Sequence, residues 1–222
     1  MKFPIKTGIL ADRMEILSNF AVFEGGDGSG TSTQLALLGQ KLGGNGGKGP
    51  VFYPTFEPTD GPIGLLIRSA LKNEAVMRPQ TVARLFSADR GEHLYSPGGI
   101  IERCRRGELV ISDRYAPSSL VYQGIECGDA LPRSLNSPFP APQMLLFFDI
   151  DPAIALQRMS GRPSLEIYEH LEFQKKAREK YLSLLGMYRE AGVMVEVIDA
   201  AQSVENVAGE VWRAVQKMPI FG

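Results

Sequence analysis

The sequence contains only two cysteines, Cys104 and Cys127, which lie far apart and have no paired spacing. A disulfide framework or a cysteine zinc site needs several thiols at short, regular spacings. We therefore interpret both residues as reduced thiols and expect a cytoplasmic protein.

Long hydrophobic runs are also lacking. No apolar stretch approaches the roughly 20 residues that span a bilayer, so the sequence predicts no membrane association. Residues 1–18 carry charges throughout and lack the continuous apolar segment of a signal peptide. We expect them to form an extension that precedes the domain, with Met14 as a second candidate for the true start.

Neither sign of charge is in excess, because 24 Lys and Arg residues face 25 Asp and Glu residues. A protein that grips a nucleic-acid backbone needs a field of positive charge, so no nucleic-acid partner is predicted. Any phosphate recognition must come from a few placed groups. The 222 residues suit one domain with a single core.

Short apolar runs, rich in β-branched and aromatic residues, alternate with helical patterns along the chain. Such nearly continuous runs are typical of strands buried on both faces, and strand-helix repetition predicts a parallel sheet. The sequence thus predicts an α/β domain over residues 19–222, with a five-stranded parallel sheet flanked by helices. The predicted strands are residues 20–24, 51–55, 108–113, 144–150 and 193–199. The predicted helices are residues 34–42, 62–72, 79–95, 99–106, 152–159, 168–190 and 204–217.

Two segments do not fit this alternation. Residues 43–49, GGNGGKG, follow a helix and precede a strand, which favours a plain connector over a second anion site. Residues 131–142, LPRSLNSPFPAP, are rich in proline, and we expect a long surface loop there.

A glycine-rich stretch, GGDGSGTST, follows the first strand and opens a helix. It has the layout of a phosphate-binding loop, G-x-x-x-x-G-K-S/T, in which backbone N–H groups and a helix N-terminus face phosphate oxygens. Ser32 is placed as a Mg²⁺ ligand. The residues predicted to contact the nucleotide are Gly25, Gly26, Asp27, Gly28, Ser29, Gly30, Thr31, Ser32 and Thr33.

Thr31 stands where this motif has lysine. The change removes the ammonium that bridges the β- and γ-phosphates, so either another cation completes a working site or the loop is a remnant. Asp27 repels phosphates unless it orients metal-bound water, a cation or an attacking phosphate. This favours phosphoryl transfer, with a solvated loop acid as the alternative.

Five segments resemble, in order and spacing, those of the thymidylate kinases, which phosphorylate dTMP with ATP: FAVFEGGDGSGTSTQ, FEPTDGPIGLLIR, RLFSADRGEH, GELVISDRYAPSSLVYQG and FFDIDPAIALQR. The similarity runs from about residue 19 to residue 217, and DRY followed by SSLVYQG is its most specific part. The resemblance implies a P-loop nucleoside monophosphate kinase fold, ATP and Mg²⁺ as cofactors, a homodimer, and a small mobile lid at about residues 157–170.

By the resemblance, Asp113 lies near Mg²⁺ and the phosphoryl path, while Arg114 contacts the acceptor phosphate and the transferred group. An arginine fork suits this role because it spreads positive charge over several phosphate oxygens. The alternative is a local ion pair at a strand end.

Phe86 and Arg90 are four residues apart and share a helix face, so one can stack on a pyrimidine while the other donates to a base carbonyl. In the family these positions hold thymine, Tyr122 packs against the deoxyribose, and Ser119 and Gln123 complete the contacts. Taken singly, Phe86 and Tyr122 are more typical of core packing. Only their combination with the neighbouring motifs favours a substrate site.

The sequence departs from the bacterial R-E-P pattern, in which the arginine grips the acceptor phosphate, because it has Phe56 at that position. Arg68 is the expected substitute, or Phe56 reshapes the acceptor pocket. In the lid segment, Arg158 and Arg162 are candidates to replace the charge lost at Thr31, against the alternative of a solvated basic turn.

Two other functions stay open at this point. One is a nucleotide-binding protein that lost turnover with the lysine. The other is a kinase for another nucleoside monophosphate or a deoxynucleoside.

Overall fold

The computed structural model describes residues 14–44, 49–159 and 170–222, and the statements below concern these parts of the chain. Five parallel strands form one sheet in the order β2-β3-β1-β4-β5. The strands are β1 Ile16–Gly25, β2 Phe52–Phe56, β3 Leu109–Asp113, β4 Ala141–Asp149 and β5 Met194–Asp199. The predicted five-stranded parallel sheet is therefore confirmed.

Helices cover both faces of the sheet. The helices are α1 Thr31–Gly44, α2 Pro62–Leu71, α3 Pro79–Tyr95, α4 Ile100–Arg105, α5 Ala116–Cys127, α6 Ala130–Asn136, α7 Pro152–Met159, α8 Leu171–Glu190 and α9 Val204–Val215, followed by a 3₁₀ turn, Pro219–Phe221. Proline opens α2 and α3 at the first helical position, where its missing N–H is not needed. Within the described parts of the chain, no helix is long and apolar enough to cross a bilayer.

The alternation of side chains along β1 divides the core into two layers. Phe20 and Val22 pack with residues of α2, α3, α4, α5 and α8, whereas Ala21 and Phe23 pack with residues of α1, α7 and α9. These four side chains have no exposed surface. Because successive strand residues point to opposite faces, a strand covered on both sides must be apolar throughout.

Several element boundaries differ from the sequence prediction. Strand β1 begins at Ile16, so residues 16–18, expected to lie in the extension, belong to the sheet. Helix α1 begins at Thr31, inside the glycine-rich stretch, and extends to Gly44. Residues 45–48 of the predicted connector lie outside the described residues.

The prediction of a long loop over residues 131–142 is wrong. Helix α6 occupies Ala130–Asn136 and β4 begins at Ala141. Pro132 is tolerated because it lies in the first helical turn, where backbone N–H groups have no partner within the helix.

Helix α5 was not predicted from the sequence. All nine residues 116–124 are buried, polar Ser118, Ser119 and Gln123 among them, so the sequence lacks the division into an apolar and a polar face that marks a surface helix.

Candidate active site

The glycine-rich loop follows the carboxyl end of β1, and Asp113-Arg114 lie at the carboxyl end of the neighbouring β3. Parallel strands present these ends at one edge of the sheet, where open α/β sheets bind ligands. The loop lines a cavity of about 570 Å³, together with Asp113, Arg114, Arg158 and part of the segment after β5. We call it the donor cavity.

Two glycines give the loop its curvature. Gly28 and Gly30 have φ angles of 81° and 90°, which other residues rarely adopt. A Cβ atom at Gly28 would also lie 2.5 Å from the carbonyl oxygen of Ala155. The loop turns directly into α1 at Thr31, so the N-terminus of that helix opens into the donor cavity and favours an anion there.

Ser32 and Asp113 bring two oxygen ligands together beside the loop. Ser32 Oγ donates a hydrogen bond to Asp113 Oδ2. Asp113 Oδ1 is buried, with no hydrogen-bond partner among the described residues. Mg²⁺ prefers oxygen ligands and keeps several waters, so one carboxylate and one hydroxyl suit it. The residues present therefore fit the predicted Mg²⁺ site.

Asp27 is held on both of its oxygens. Arg114 Nη2 donates to Oδ1, and Gln174 Nε2 donates to Oδ2 at 2.8 Å. The backbone N–H of Asp27 donates to Gln174 Oε1 at 3.2 Å. This geometry argues against a merely solvated loop acid.

Arg114 has an unusual backbone, with φ at 71° in the left-handed region. Its N–H donates to the carbonyl of Phe23 at 2.9 Å, which fixes this conformation. Its Nη1 donates to the carbonyl of Gly25 at 3.2 Å and to Ser118 Oγ at 3.3 Å. The ion pair of Arg114 is made with Asp27 of the loop, so the side chain is directed across the sheet edge into the site.

A second, smaller cavity of about 100 Å³ shares Asp27 and Arg114 with the donor cavity as lining residues. We call it the acceptor cavity. Phe86 and Tyr122 supply aromatic walls, and Gln123 has a buried Oε1 without a hydrogen-bond partner among the described residues. Arg90 and Arg114 also line this cavity, so five residues predicted to hold the substrate are brought together.

Arg90 is almost fully buried and tightly held. Its Nε and Nη2 donate to Glu57 Oε2 at 3.0 and 2.6 Å, and Nη2 also donates to Ser119 Oγ at 3.1 Å. Nη1 donates to Asn136 Oδ1. Four of its five N–H groups are thus engaged, which leaves one on Nη1 for a ligand. Ser119 therefore lies behind Arg90, while its neighbour Ser118 lines the cavity.

Glu57 is oriented from its other side by His93. His93 Nδ1 lies 3.2 Å from Glu57 Oε1, and His93 Nε2 lies 2.6 Å from Thr55 Oγ1. Two elements, β2 and α3, therefore fix the carboxylate that in turn fixes the arginine.

Phe56 and Arg68 lie in a third cavity, of about 640 Å³, which also exposes Ser32, Asp113 and Arg114. The guanidinium carbon of Arg68 lies 5.6 Å from the centroid of the Phe56 ring, a cation-π distance. The guanidinium also donates to the backbone carbonyls of residues 58 and 59. Arg68 thus lines a cavity together with Ser32, Asp113 and Arg114 and lies outside the acceptor cavity.

Of the two predicted lid arginines, Arg158 lies in the described residues and lines the donor cavity with Thr31. It donates from Nη1 to the carbonyl of Ala200 at 2.9 Å and from Nη2 to that of Ala201 at 3.3 Å. Arg162 and most of the predicted lid lie outside the described residues.

Sequence reasoning missed three site residues, Gln174, Glu57 and Glu24. Gln174 reaches Asp27 across 147 positions, and no local pattern indicates such a contact. Glu57 had a usable signal, since it follows directly on Phe56 within the segment FEP. Glu24 is fully buried. Burial raises its pKa to about 7, although hydrogen bonds from Ser118 and Tyr181 and the charge of Arg114 act to lower it.

Comparison with known proteins identifies the family of this chain. The family model described as Thymidylate kinase matches residues 23–211. The putative thymidylate kinase of Treponema pallidum is 41% identical over 197 residues, which cover 87% of this chain and 93% of the relative. The probable thymidylate kinase of Pyrobaculum aerophilum is 41% identical over 204 residues, 91% and 98% of the two chains. That of Methanococcus maripaludis is 36% identical over 212 residues, again 91% and 98%. The chain therefore belongs to the thymidylate kinase family.

Proposed function

We propose that this chain transfers the γ-phosphoryl group of ATP to dTMP, giving dTDP, in the cytoplasm. The observation that carries the proposal is the position of Arg114, which lines both the donor and the acceptor cavity. A guanidinium between two bound phosphates stabilises the charge that develops during transfer.

In the donor cavity, the loop N–H groups and the start of α1 bind the ATP phosphates. Mg²⁺, when bound at Ser32 and Asp113, supplies positive charge to the donor phosphates. Asp27 orients Arg114 through their ion pair. Arg158 and Arg162 supply the charge that Thr31 lacks.

In the acceptor cavity, Phe86 stacks on thymine, while Arg90 and Gln123 hydrogen-bond its polar edge. Tyr122 packs against the deoxyribose. Arg68, steadied by the Phe56 ring, binds the acceptor phosphate in place of the arginine of the R-E-P pattern. The intact cluster around Asp27, Arg114 and Arg90 supports a working enzyme over a remnant.

The domain division and the assembly are part of the same proposal. Residues 19–222, extended by the start of β1, form one kinase domain with a lid at about residues 157–170. Leu65 and Leu66 of α2 are 57% and 41% exposed, which supports a homodimer that covers them. Light scattering of the purified chain measures the mass of the assembly and so tests whether it is a dimer.

A coupled assay of ADP release, with ATP, Mg²⁺ and each nucleoside monophosphate in turn, tests the reaction. A hydrogen-bonding site left with an unmatched base is strongly penalised. We expect kcat/KM for dTMP to exceed that for dGMP and dAMP by at least about a hundredfold. Comparable efficiency with a purine monophosphate contradicts the acceptor assignment. If ADP is released with none of the monophosphates, the non-catalytic alternative is favoured.

A further inference from the structure

Glu24 is the penultimate residue of β1, directly ahead of the glycine-rich loop, and its side chain has no exposed surface. The reaction proposed above does not use it. A buried carboxyl group is unfavourable unless its oxygens are hydrogen-bonded, and an apolar residue would fill the same space without that penalty. The presence of this carboxyl therefore needs an explanation beyond packing.

Three donors converge on the Glu24 carboxyl group. The backbone N–H of Tyr115 donates to Oε1 at 2.8 Å. Ser118 Oγ and the Tyr181 hydroxyl donate to Oε2 at 2.6 and 2.9 Å. Glu24 thereby ties β1 to the start of α5 and to α8.

Ser118 connects this group to Arg114. Its Oγ accepts a hydrogen bond from Arg114 Nη1 at 3.3 Å. A serine hydroxyl has one hydrogen and two lone pairs, so a hydrogen directed at Glu24 leaves a lone pair for the guanidinium. The carboxylate thus sets the direction in which Ser118 accepts.

The hydrogen bond from the Tyr115 backbone to Glu24 also restrains the backbone of Arg114. Tyr115 follows Arg114 in sequence, and its N–H is held by Glu24. Arg114 itself has a left-handed backbone, which persists only where neighbouring contacts define it. Glu24 therefore acts on both the backbone after Arg114 and the acceptor of its side chain.

We propose that Glu24 is a positioning residue that holds the Arg114 guanidinium between the donor and acceptor cavities, acting through Ser118 and the Tyr115 backbone. The inference rests on the proposed function for the role of Arg114 at the phosphates. It assigns to Tyr181 of α8 a supporting part, since that hydroxyl completes the hydrogen bonds of the same carboxyl oxygen.

The test is the variant Glu24→Gln, which keeps the size of the side chain. Its amide NH₂ brings hydrogens toward Ser118 and Tyr181, so Ser118 can no longer both donate there and accept from Arg114 as before. At pH 8, where the Glu24 carboxyl is ionised, we expect kcat with ATP and dTMP to fall at least about tenfold, while both KM values change less than about threefold. A purely structural role would not separate kcat from KM in a folded enzyme.

Tyr181→Phe is the second variant, with Tyr188→Phe as its matched control. Both tyrosines are buried on α8, seven residues apart, but Tyr188 makes no hydrogen bond to Glu24. We expect Tyr181→Phe to lower kcat in the same way, to a smaller extent, and Tyr188→Phe to leave it unchanged. This pair decides the matter if Glu24→Gln does not fold. Equal kcat in the two tyrosine variants then overturns the proposal.

Crystal structures of the wild-type chain and of Glu24→Gln give a readout that does not need activity. The expected result is loss of the contact from Arg114 to Ser118 in the variant. An unmoved guanidinium together with wild-type kcat overturns the inference. If the wild-type chain phosphorylates no monophosphate, the proposed function fails, while the position of Arg114 still decides whether Glu24 places it.

Discussion

Arg114 donates a hydrogen bond from Nη2 to Oδ1 of Asp27, and this ion pair joins the end of β3 to the glycine-rich loop. The two side chains are 24% and 21% exposed, so the pair lies at the mouth of the site rather than in the core. This ion pair accounts for a carboxylate in a loop that binds anions, because Asp27 holds the Arg114 guanidinium where phosphates bind.

Arg114→Ala should remove most turnover and leave the fold intact. The side chain lies where charge develops, so we expect a loss on the order of 10³ in kcat, as for other phosphoryl-clamping arginines. Steady-state kinetics measures this, with circular dichroism to verify folding. Arg106→Ala is the control, because Arg106 is half exposed and pairs with Glu102 and Glu108 away from the site. Near-normal activity of Arg114→Ala would show that DRY is structural here.

A double-mutant comparison tests whether a lid arginine replaces the missing lysine. Arg158→Ala, and separately Arg162→Ala, should lower kcat more than acceptor binding, because their contacts form when the lid closes over the phosphates. Thr31→Lys restores a cation to the same phosphates, so it should recover part of the lost activity. Purely additive effects in this cycle reject compensation by the lid.

Arg68→Met should weaken dTMP binding specifically. Loss of a charge-assisted contact to the acceptor phosphate should raise KM for dTMP by roughly tenfold or more and leave KM for ATP nearly unchanged. Arg84→Met on α3 is the matched control, since Arg84 is exposed and, within the described parts of the chain, its side chain hydrogen-bonds only the carbonyl of Gln80. An unchanged KM for dTMP would leave Phe56 as a residue that reshapes the pocket without a substitute arginine.

Glu57→Gln should destabilise the fold as well as the base site. The variant leaves the Arg90 charge buried without its counter-charge, and breaking such a pair lowers the free energy of unfolding by about 3 to 5 kcal/mol. Urea denaturation measures the loss. Glu172→Gln, in an exposed pair with Lys175, should have little effect. Equal effects of the two substitutions would contradict the importance of burial.

The raised pKa of Glu24, about 7 against an ordinary value of 4.5, predicts a pH dependence of stability. Between these values the folded chain keeps a proton that the unfolded chain has released. Proton binding by Glu24 therefore adds about 3 kcal/mol to the free energy of unfolding below pH 4.5. This stabilisation is lost as the pH rises through 7. Urea denaturation at pH 5 and pH 8 should show the wild type losing stability relative to Glu24→Gln. A constant difference between the two proteins contradicts the prediction.

The three central strands, β1, β3 and β4, were predictable because they are largely buried on both faces and have nearly continuous apolar runs, whereas β2 and β5 at the edges are mostly half-buried. Helix α5 was not, since its buried residues 116–124 include the polar Ser118, Ser119 and Gln123, so no apolar face alternates with a polar one. Helix α6 was missed because Pro132 suggested a loop, although the first turn of a helix accepts proline.

The site was predictable where its residues are neighbours in sequence, as in the glycine-rich loop and DRY. Contacts between distant elements were not. Glu24 accepts a hydrogen bond from the Tyr181 hydroxyl, 157 positions away in the sequence, and Gln174 is similarly distant in sequence from Asp27. Their pairing follows from how α8 packs on the sheet, which only the folded chain defines.

The sheet order places β1, the first strand in the chain, at the centre, between β3 and β4. Phe20 pairs with Val110 and Ala21 with Met144, so neither edge of β1 acquires its neighbour until long stretches of later chain are available. During synthesis on the ribosome, the first strand must therefore wait, with its apolar side chains uncovered, until β4 has emerged from the exit tunnel. Non-local pairing of this kind slows folding and exposes nascent chains to aggregation. The central position of β1 thus leaves the first strand of the chain without its sheet neighbours during most of synthesis.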